Sequence, residues 1–141
     1  MANEHEVHYA GKVAQKAIIR DGERVLITRD VGDADTWELP GGRLNVDELP
    51  SAGLAREIFE ELGVDVDVVR PVYVEQFYHE RDQANMLLIA YEAVLRTPTQ
   101  EFTFGPDEMA EVKWIAKDEL NVQHLFADTY RTLAHYFSVA K

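Results

Sequence analysis

Three glutamates crowd into one segment of the chain, residues 42–64, and this segment constrains the fold more than any other. Glu57, Glu60 and Glu61 stand at positions i, i+3 and i+4, so on a helix they share one face. Like charges at these spacings destabilise a helix by a few tenths of a kcal/mol per pair. A helix that keeps them either solvates the carboxylates or uses them to bind cations. Ligation by oxygen alone suits a hard ion such as Mg²⁺ or Mn²⁺.

The same segment predicts where this helix begins and ends. Pro50 suits the first helical position, and Gly63 is a standard helix stop. Apolar residues follow a row that would anchor the helix to a core: Leu54, Ile58 and Leu62, with Phe59 beside them. Gly53 lies inside the helix, and the sequence offers no reason for it beyond close packing. The carboxylates are therefore predicted to sit on a packed element and to face a cleft.

Runs of residues that are typical of strands lie on both sides of this helix. They cover residues 13–20, 25–28, 64–69, 72–79, 86–95 and 112–115. The turn Asp21-Gly22 joins the first two into a hairpin, and a polar turn joins the fourth and fifth into another. Pro71 is expected to end the third run. Residues 97–110 look irregular, and the apolar spacing over residues 122–137 predicts a C-terminal amphipathic helix.

Composition limits which binding partners and which cellular location can be expected. A chain of 141 residues, 46% of them hydrophobic, fits one domain with a sizeable core. The formal net charge of −12 disfavours binding to a nucleic-acid polymer, and no apolar run is long enough for a membrane span. The absence of cysteine excludes disulfides and thiolate metal sites, and with an N-terminus unlike a signal peptide it favours the cytoplasm. The chain is expected to be a monomer or a homodimer.

Residues 42–64 also match a known motif, G-x5-E-x7-R-E-U-x-E-E-x-G-U, in which U is a bulky aliphatic residue. Its positions are filled by Gly42, Glu48, Arg56, Glu57, Ile58, Glu60, Glu61, Gly63 and Val64. The fixed positions alone have a chance probability on the order of 10⁻⁸ per start position. The segment resembles the Nudix box, and residues 37–42 resemble the usual approach to that box.

The resemblance implies a fold and a reaction. The Nudix fold is a single α/β (α+β) domain in which a mixed β-sheet is sandwiched between helices. Residues 11–141 would form this domain and residues 1–10 a flexible N-terminal tail. Members hydrolyse nucleoside diphosphates linked to another moiety, X. The short chain looks most like the MutT-type (d)NTP pyrophosphohydrolases. Pyrophosphatases of ADP-ribose or nucleotide sugars, and a non-catalytic nucleotide-binding module, are the alternatives.

The resemblance also assigns roles within the box. Glu57, Glu60 and Arg56 would be catalytic, and Glu57, Glu60 and Glu61 would hold Mg²⁺, with Mn²⁺ as a substitute. Glu57 is either a metal ligand or the general base, and Arg56 orients a box glutamate. Glu48 would lie near the metals and bind through water. Without the cation, the like charges are expected to raise the pKa of at least one carboxylate.

Two further ligands are implied outside the glutamate cluster. One is the backbone carbonyl of Gly41. The other comes from a late acidic loop, where Glu108 is favoured over Glu111. Four histidines are expected to be solvated or packing residues rather than ligands: His5 and His8 in the tail, and His124 and His135 near the C-terminal helix.

Four residues are predicted to contact the substrate: Arg29, Arg43, Phe77 and Tyr78. Many family members carry a basic residue near Arg29 that contacts substrate phosphate. Phe126 and Asn121 could also meet a base, whereas Trp37 is expected to be buried in the core. Because the whole chain is acidic, local basic residues and bound cations must reverse the sign of the field within the cleft.

Overall fold

The computed structural model describes residues 6–139, which form six strands, two α-helices and two short 3-10 helices. The strands are β1 (Lys12–Asp21), β2 (Arg24–Asp30), β3 (Gly41–Arg43), β4 (Val66–His79), β5 (Ala84–Leu95) and β6 (Met109–Ile115). The α-helices are α1 (Pro50–Leu62) and α2 (Ala127–Val139), and the 3-10 helices cover Val31–Asp33 and Lys117–Val122. His5 lies outside the described residues, and the division into a tail and a domain stays a prediction.

The strands form one mixed sheet in the order β4-β5-β1-β2-β6, and β3 pairs with β1 outside this path. β1 runs parallel to β5 and antiparallel to β2 and β3. Both predicted hairpins, β1–β2 and β4–β5, are confirmed. Because side chains alternate along a strand, the central strand β1 supplies residues to both faces of the sheet.

The two α-helices cover opposite faces of this sheet. On one face, the predicted row of α1 is fully buried against alternate residues of β1: Leu54, Ile58 and Leu62 against Ala17 and Ile19. On the other face, α2 packs Leu133 and Phe137 against Ile18 of β1 and Ile27 of β2. The single α+β domain with a mixed sheet between helices is therefore confirmed.

The expectation that Pro71 ends a strand is wrong. β4 runs from Val66 to His79 through Pro71, so the two predicted strands are one. Its pairing with β5 shifts register between Val68 and Arg70 and again between Pro71 and Tyr73. β4 lies at the edge of the sheet, where a residue without an N–H group is tolerated because it need not donate to a neighbouring strand.

The C-terminal helix is shorter than predicted, since α2 begins only at Ala127. The residues before it pair with the segment that precedes Pro40 in the chain. The N–H of Trp37 donates to the carbonyl of His124 at 2.8 Å, and the N–H of Phe126 donates to the carbonyl of Trp37 at 3.1 Å. These bonds across the chain replace the helical bonds that the apolar spacing predicted.

Smaller differences concern single residues and short strands. Phe59 is 54% exposed, because it lies about 100° around the helix from Ile58 and outside the buried stripe. β6 begins at Met109, inside the segment that looked irregular, and β3 was not predicted. Within residues 6–139, no helix is long and apolar enough to cross a membrane.

Candidate active site

The bend at Gly41-Gly42 brings α1 against the sheet. Gly41 has a φ of +148°, which side chains rarely tolerate, and a Cβ there would collide with the carbonyl oxygen of Gln15. A Cβ on Gly42 would overlap Oε2 of Glu57. The carboxylate of Glu57 therefore lies directly on the backbone of Gly42, an approach that requires glycine at this position.

The other carboxylate oxygen of Glu57 is buried and has no hydrogen-bond partner among the described residues. Burial raises the pKa of Glu57, and the charge of Arg56 partly offsets that rise. An unsatisfied buried carboxylate oxygen is costly, and a hard cation is the kind of partner that would satisfy it. The donor set of the box thus fits a divalent cation that prefers oxygen.

Glu61 is the most strongly perturbed carboxylate of the box. Burial raises the pKa of Glu61 to about 7, although the charge of Lys16 and the backbone amide of Gly41 act in the opposite direction. The sequence predicted an upward pKa shift from repulsion between the glutamates. The shift is present, but burial is its larger cause at both Glu57 and Glu61.

Arg56 ties the box helix to the loop before it. Its Nη1 donates to both carboxylate oxygens of Glu60 at 3.0 and 3.1 Å, and its Nη2 and Nε donate to Glu48 at 2.9 and 3.1 Å. The hydrogen bonds from Arg56 lower the pKa of Glu48. They also explain Gly53, because a Cβ there would lie 2.6 Å from Oε1 of Glu48.

Asp30, Asp33 and Glu38 form a second acidic cluster, which the sequence did not reveal. One carboxylate oxygen from each lies within 4.8 Å of the others, so the three could hold a metal ion. Burial raises the pKa of Asp30 and of Glu38. The three residues come from β2, a 3-10 helix and the segment before Pro40, so no fixed spacing marks them as a group.

Lys16 is another residue that the sequence analysis missed. It lies on β1 opposite Gly41 in the strand register, and its side chain is only 16% exposed. Its Nζ is 3.7 Å from Oε1 of Glu38. The one signal in the sequence was the pair Gln15-Lys16, two polar residues inside an otherwise aliphatic strand.

A cleft of about 420 Å³ opens beside these carboxylates, with Lys16, Glu38, Gly42, Arg43, Phe77 and Phe126 in its walls. It brings together two of the four predicted substrate residues, Arg43 and Phe77. Arg43 is paired with Asp82. Tyr78 follows Phe77 in β4 and so points to the opposite face of the sheet, where it is 54% exposed.

Arg29 and the late acidic loop lie beside the cleft. Arg29 donates to the carbonyl of Ala34 at 2.6 Å and to Glu111 at 3.0 Å. Glu108 is exposed, and its charge contributes to the raised pKa of Asp30, so it lies near the second acidic cluster. Trp37 is buried, as expected, and Nζ of Lys113 lies 4.3 Å from its ring centroid.

The remaining candidates have local partners. Asn121 accepts a hydrogen bond from the hydroxyl of Tyr130 at 2.9 Å, so it is engaged away from the cleft. The described histidines make side-chain contacts: His8 with Glu6 at 3.6 Å, His124 with Asp35 at 3.1 Å, and His135 with the ring of Tyr73 at 5.1 Å. His79, which the sequence did not single out, lines the cleft and lies 3.3 Å from Asp82.

A larger cavity of about 1100 Å³ lies at the other end of β1 and contains no box residue. Its buried carboxylate, Glu92, accepts a hydrogen bond from the hydroxyl of Tyr136 at 2.7 Å. Arg20 and Arg70 lie 3.4 and 3.9 Å from the same carboxylate. These charges have partners, and the smaller cleft rather than this cavity includes a box residue, Gly42, in its walls.

Comparison with known proteins matches a NUDIX domain over residues 12–137. A "MutT-like protein" of Streptomyces ambofaciens is 47% identical over 64 residues, which are 45% of this chain and 38% of that protein. The "NAD-capped RNA hydrolase NudC" of Mycobacterium tuberculosis is 30% identical over 105 residues, 73% of this chain and 32% of that protein. The chain thus spans about a third of the length of these relatives.

Solved structures share the fold. A NUDIX hydrolase from Nitrosomonas europaea superposes with a TM-score of 0.76 at 17% identity, covering 92% of this chain and 90% of its own. The MutT NUDIX hydrolase from Burkholderia pseudomallei gives a TM-score of 0.72 at 24% identity, covering 88% and 96%. With the family match over almost the whole chain and the complete box at residues 42–64, the protein belongs to the NUDIX family of hydrolases.

Proposed function

We propose that this chain hydrolyses the pyrophosphate linkage of a nucleoside diphosphate derivative in a reaction that depends on Mg²⁺, for which Mn²⁺ can substitute. The observation that carries the proposal is the carboxylate of Glu57. One of its oxygens lies on the backbone of Gly42, and the other is buried without a partner among residues 6–139. A buried carboxylate oxygen without a hydrogen-bond partner supports the binding of a cation at this site.

The metal ligands in this proposal are the three box glutamates together with the carbonyl of Gly41 and the carboxylate of Glu108. Glu61 supports it through its burial, and Glu60 through the two hydrogen bonds by which Arg56 orients it. When bound, the cation would neutralise phosphate charge and lower the pKa of a nearby water.

The chain's own residues then complete the hydrolysis. Water adds to one phosphorus of the bridge, the bond from that phosphorus to the bridging oxygen breaks, and the leaving group departs with that oxygen. A carboxylate accepts the proton of the water, which typically contributes about 10²–10⁴-fold to the rate. Glu57 serves either as a metal ligand or as this base, because its buried Oε1 has no donor among the described residues and can meet a cation or the attacking water.

For the substrate we propose a (d)NTP, as in MutT-type enzymes. The likeness to the "MutT-like protein" supports this class. In the cleft, Arg43 would contact phosphate, as would Arg29 at its edge, and Phe77 would stack on the base. Tyr78 keeps a proposed role only if the substrate extends around the edge of β4, since the structure places it on the other face. Hydrolysis of ADP-ribose or of nucleotide sugars, and binding without catalysis, are the alternatives.

The likeness to the "NAD-capped RNA hydrolase NudC" covers 32% of that protein, and a polymer fits this chain poorly. A net charge of −12 opposes binding to a polyanion. We therefore propose a small-molecule nucleotide as the partner, no nucleic-acid polymer and no membrane, a monomer or homodimer, and a cytoplasmic location.

The test is a turnover screen with Mg²⁺. Pyrophosphate released from (d)NTPs is measured directly, and the phosphomonoester products of the other substrates are measured as the phosphate that an added alkaline phosphatase releases from them. It covers canonical and oxidised (d)NTPs, ADP-ribose, NAD, nucleotide sugars and dinucleoside polyphosphates. Glu61→Gln is the inactive variant, and Glu101→Gln is the matched control because Glu101 is exposed and remote in sequence from the box. Activity that Glu61→Gln abolishes and Glu101→Gln retains supports the proposal and identifies the substrate class.

Near-wild-type turnover in both Glu60→Gln and Glu61→Gln would contradict the assigned site. Tight nucleotide binding without turnover at any metal concentration would instead favour the binding module, and a thermal-shift assay with the same nucleotides detects it.

A further inference from the structure

Lys16 is a half-buried cation that lies between the second acidic cluster and the start of the box. Its side chain is 16% exposed, and its Nζ lies 3.7 Å from Glu38 in the second acidic cluster. Its charge also acts on Glu57 and Glu61 of the box helix. The strand register places it directly across from Gly41, at the junction of the two acidic groups.

A divalent cation bound to the box glutamates would lie near Lys16, because Lys16 stands across from Gly41, whose carbonyl is one of the proposed ligands. Two positive charges that lie close together repel each other, and the repulsion is stronger beside partly buried groups than in bulk water. The ammonium therefore stabilises the cleft when no cation is bound and opposes the binding of one.

We propose that Lys16 is the resident counter-ion of the metal carboxylates, and that with cations bound it contacts a phosphate group of the substrate. The inference rests on the proposed metal-dependent function. It adds a positioning and substrate-binding residue that neither the box nor the predicted substrate residues include.

The low exposure of Lys16 is the reason to expect that it contacts a substrate phosphate. An ammonium with so little exposure is costly unless it is paired. Its one ion pair among the described residues, with Glu38, is 3.7 Å long and leaves Lys16 able to contact a further anion. Lys16 also lines the cleft in which the substrate is proposed to bind. A compact ammonium is a suitable partner for phosphate oxygens. Cation and phosphate should therefore bind cooperatively.

The first measurement is binding of Mn²⁺ alone, followed by the electron paramagnetic resonance signal of the free ion. It is made at about pH 8.5, above the pKa of about 7 for Glu61, so that proton competition is small. Lys16→Met is expected to bind Mn²⁺ about tenfold more tightly than wild type, because one opposing charge is gone.

Two variants control this measurement. Lys16→Arg keeps the charge and should bind Mn²⁺ within about twofold of wild type. Lys12→Met removes the same charge from the same strand, but Lys12 is exposed and roughly 13 Å away along β1, so it should also stay within about twofold.

The second measurement is calorimetric binding of methylenediphosphonate, a non-hydrolysable pyrophosphate, at saturating Mg²⁺. Lys16→Met is expected to weaken it by about tenfold or more, whereas Lys16→Arg should restore most of the affinity. Circular dichroism checks that each variant folds, and Lys16→Gln takes the place of Lys16→Met if the latter does not.

The outcomes separate the two proposals. Wild-type protein that binds no Mn²⁺ contradicts the proposed function itself. Wild-type protein that binds Mn²⁺ no less tightly than Lys16→Met and Lys16→Gln overturns the counter-ion role. Tighter Mn²⁺ binding with unchanged diphosphonate affinity overturns the phosphate contact.

Discussion

At the scale of single residues, the site depends on one missing side chain. Because Gly42 has no Cβ, the carboxylate of Glu57 can rest on the backbone of β3. The other oxygen of Glu57 is buried. Gly42 is a fixed position of the motif, and the structure gives the steric reason: any side chain there would displace the carboxylate of Glu57.

Replacement of Gly42 by alanine should therefore remove activity without unfolding the protein. The new Cβ would overlap Oε2 of Glu57, and the side chain would swing away because its end is flexible. We expect kcat/KM to fall by at least about hundredfold, since a shift of about 1 Å in a reacting group has effects of this size. Steady-state kinetics and thermal unfolding measure the two quantities.

The matched control is Gly105→Ala, because a Cβ at Gly105 would meet nothing within 4 Å. It should retain wild-type activity. An active Gly42→Ala variant would mean that Glu57 is not held by this contact during turnover.

Glu61 makes the stability of the cation-free protein depend on pH. Its folded-state pKa of about 7 lies above the ordinary value of 4.5, so between these values the folded protein holds a proton that the unfolded chain has lost. The free energy of unfolding should therefore fall as pH rises from about 4.5 to about 7 and then level off. At about 1.36 kcal/mol per pKa unit, the loss is on the order of 3 kcal/mol.

Urea unfolding in EDTA at pH 5 and pH 8 tests this dependence. Glu61→Gln should lack this part of the loss and be more stable than wild type at pH 8, because a neutral amide is buried in place of a charge. Taking the difference between the two proteins removes the contribution of the histidines. Parallel pH profiles would show that Glu61 titrates normally.

At the scale of elements, α1 is the part that could be predicted almost entirely from the sequence. It begins at Pro50 and ends where Gly63 adopts a φ of +69° and donates its N–H to the carbonyl of Phe59. Start signal, stop signal and buried row all depend on residues within one turn or two of each other. Local interactions therefore determine the bounds and the buried face of this helix. The helix in turn fixes the relative positions of the box glutamates.

The buried row of α1 should carry most of its contribution to stability. Ile58→Ala is expected to lower the free energy of unfolding by about 2–5 kcal/mol, because Ile58 is fully buried and its removal leaves a cavity. Phe59→Gln on the next position should change it by less than about 0.5 kcal/mol, since Phe59 is 54% exposed. Equal losses in urea unfolding would show that Phe59 packs against a partner in solution.

The elements that were predicted wrongly depend on contacts distant in sequence. The spacing after residue 122 is helical, yet Leu125 pairs with Trp37 instead. Pro71 is a strand breaker by its chemistry, but the edge position of β4 tolerates it. Lys16, Asp30 and Glu38 reach one cleft only through the pairing of β1 and β2 and the approach to the box, which no spacing in the sequence encodes.

At the scale of the whole molecule, the charge opposes the proposed substrate. A chain with a net charge of −12 repels a nucleotide over the distance at which its field acts, whereas the cleft itself contains Lys16 and Arg43. Salt screens the long-range repulsion by the whole molecule more strongly than the short-range attraction by the cleft residues.

The KM for an anionic substrate should therefore fall as ionic strength rises from about 0.01 M to about 0.1 M, because the Debye length shrinks from about 30 Å to about 10 Å. Initial rates at fixed free Mg²⁺ and varied NaCl measure this dependence. If KM instead rises with NaCl concentration, attraction by the basic residues of the cleft outweighs the long-range repulsion of the substrate.

β1 places adjacent residues on opposite sides of the sheet: Gln15 faces α1, and Lys16 faces the cleft. Substitution of Gln15 acts on the packing against α1. Substitution of Lys16 acts on the cleft and, through its charge, on Glu57 and Glu61. Deletion of a single residue within β1 would exchange the two sets, sending an ammonium into the α1 core and aliphatic side chains into the cleft. Changes of length in this chain should therefore be tolerated in the hairpin turn Gly22-Glu23. The turn Glu80–Gln83 should tolerate them less well, because Glu80 and Arg81 line the cleft and Asp82 pairs with Arg43.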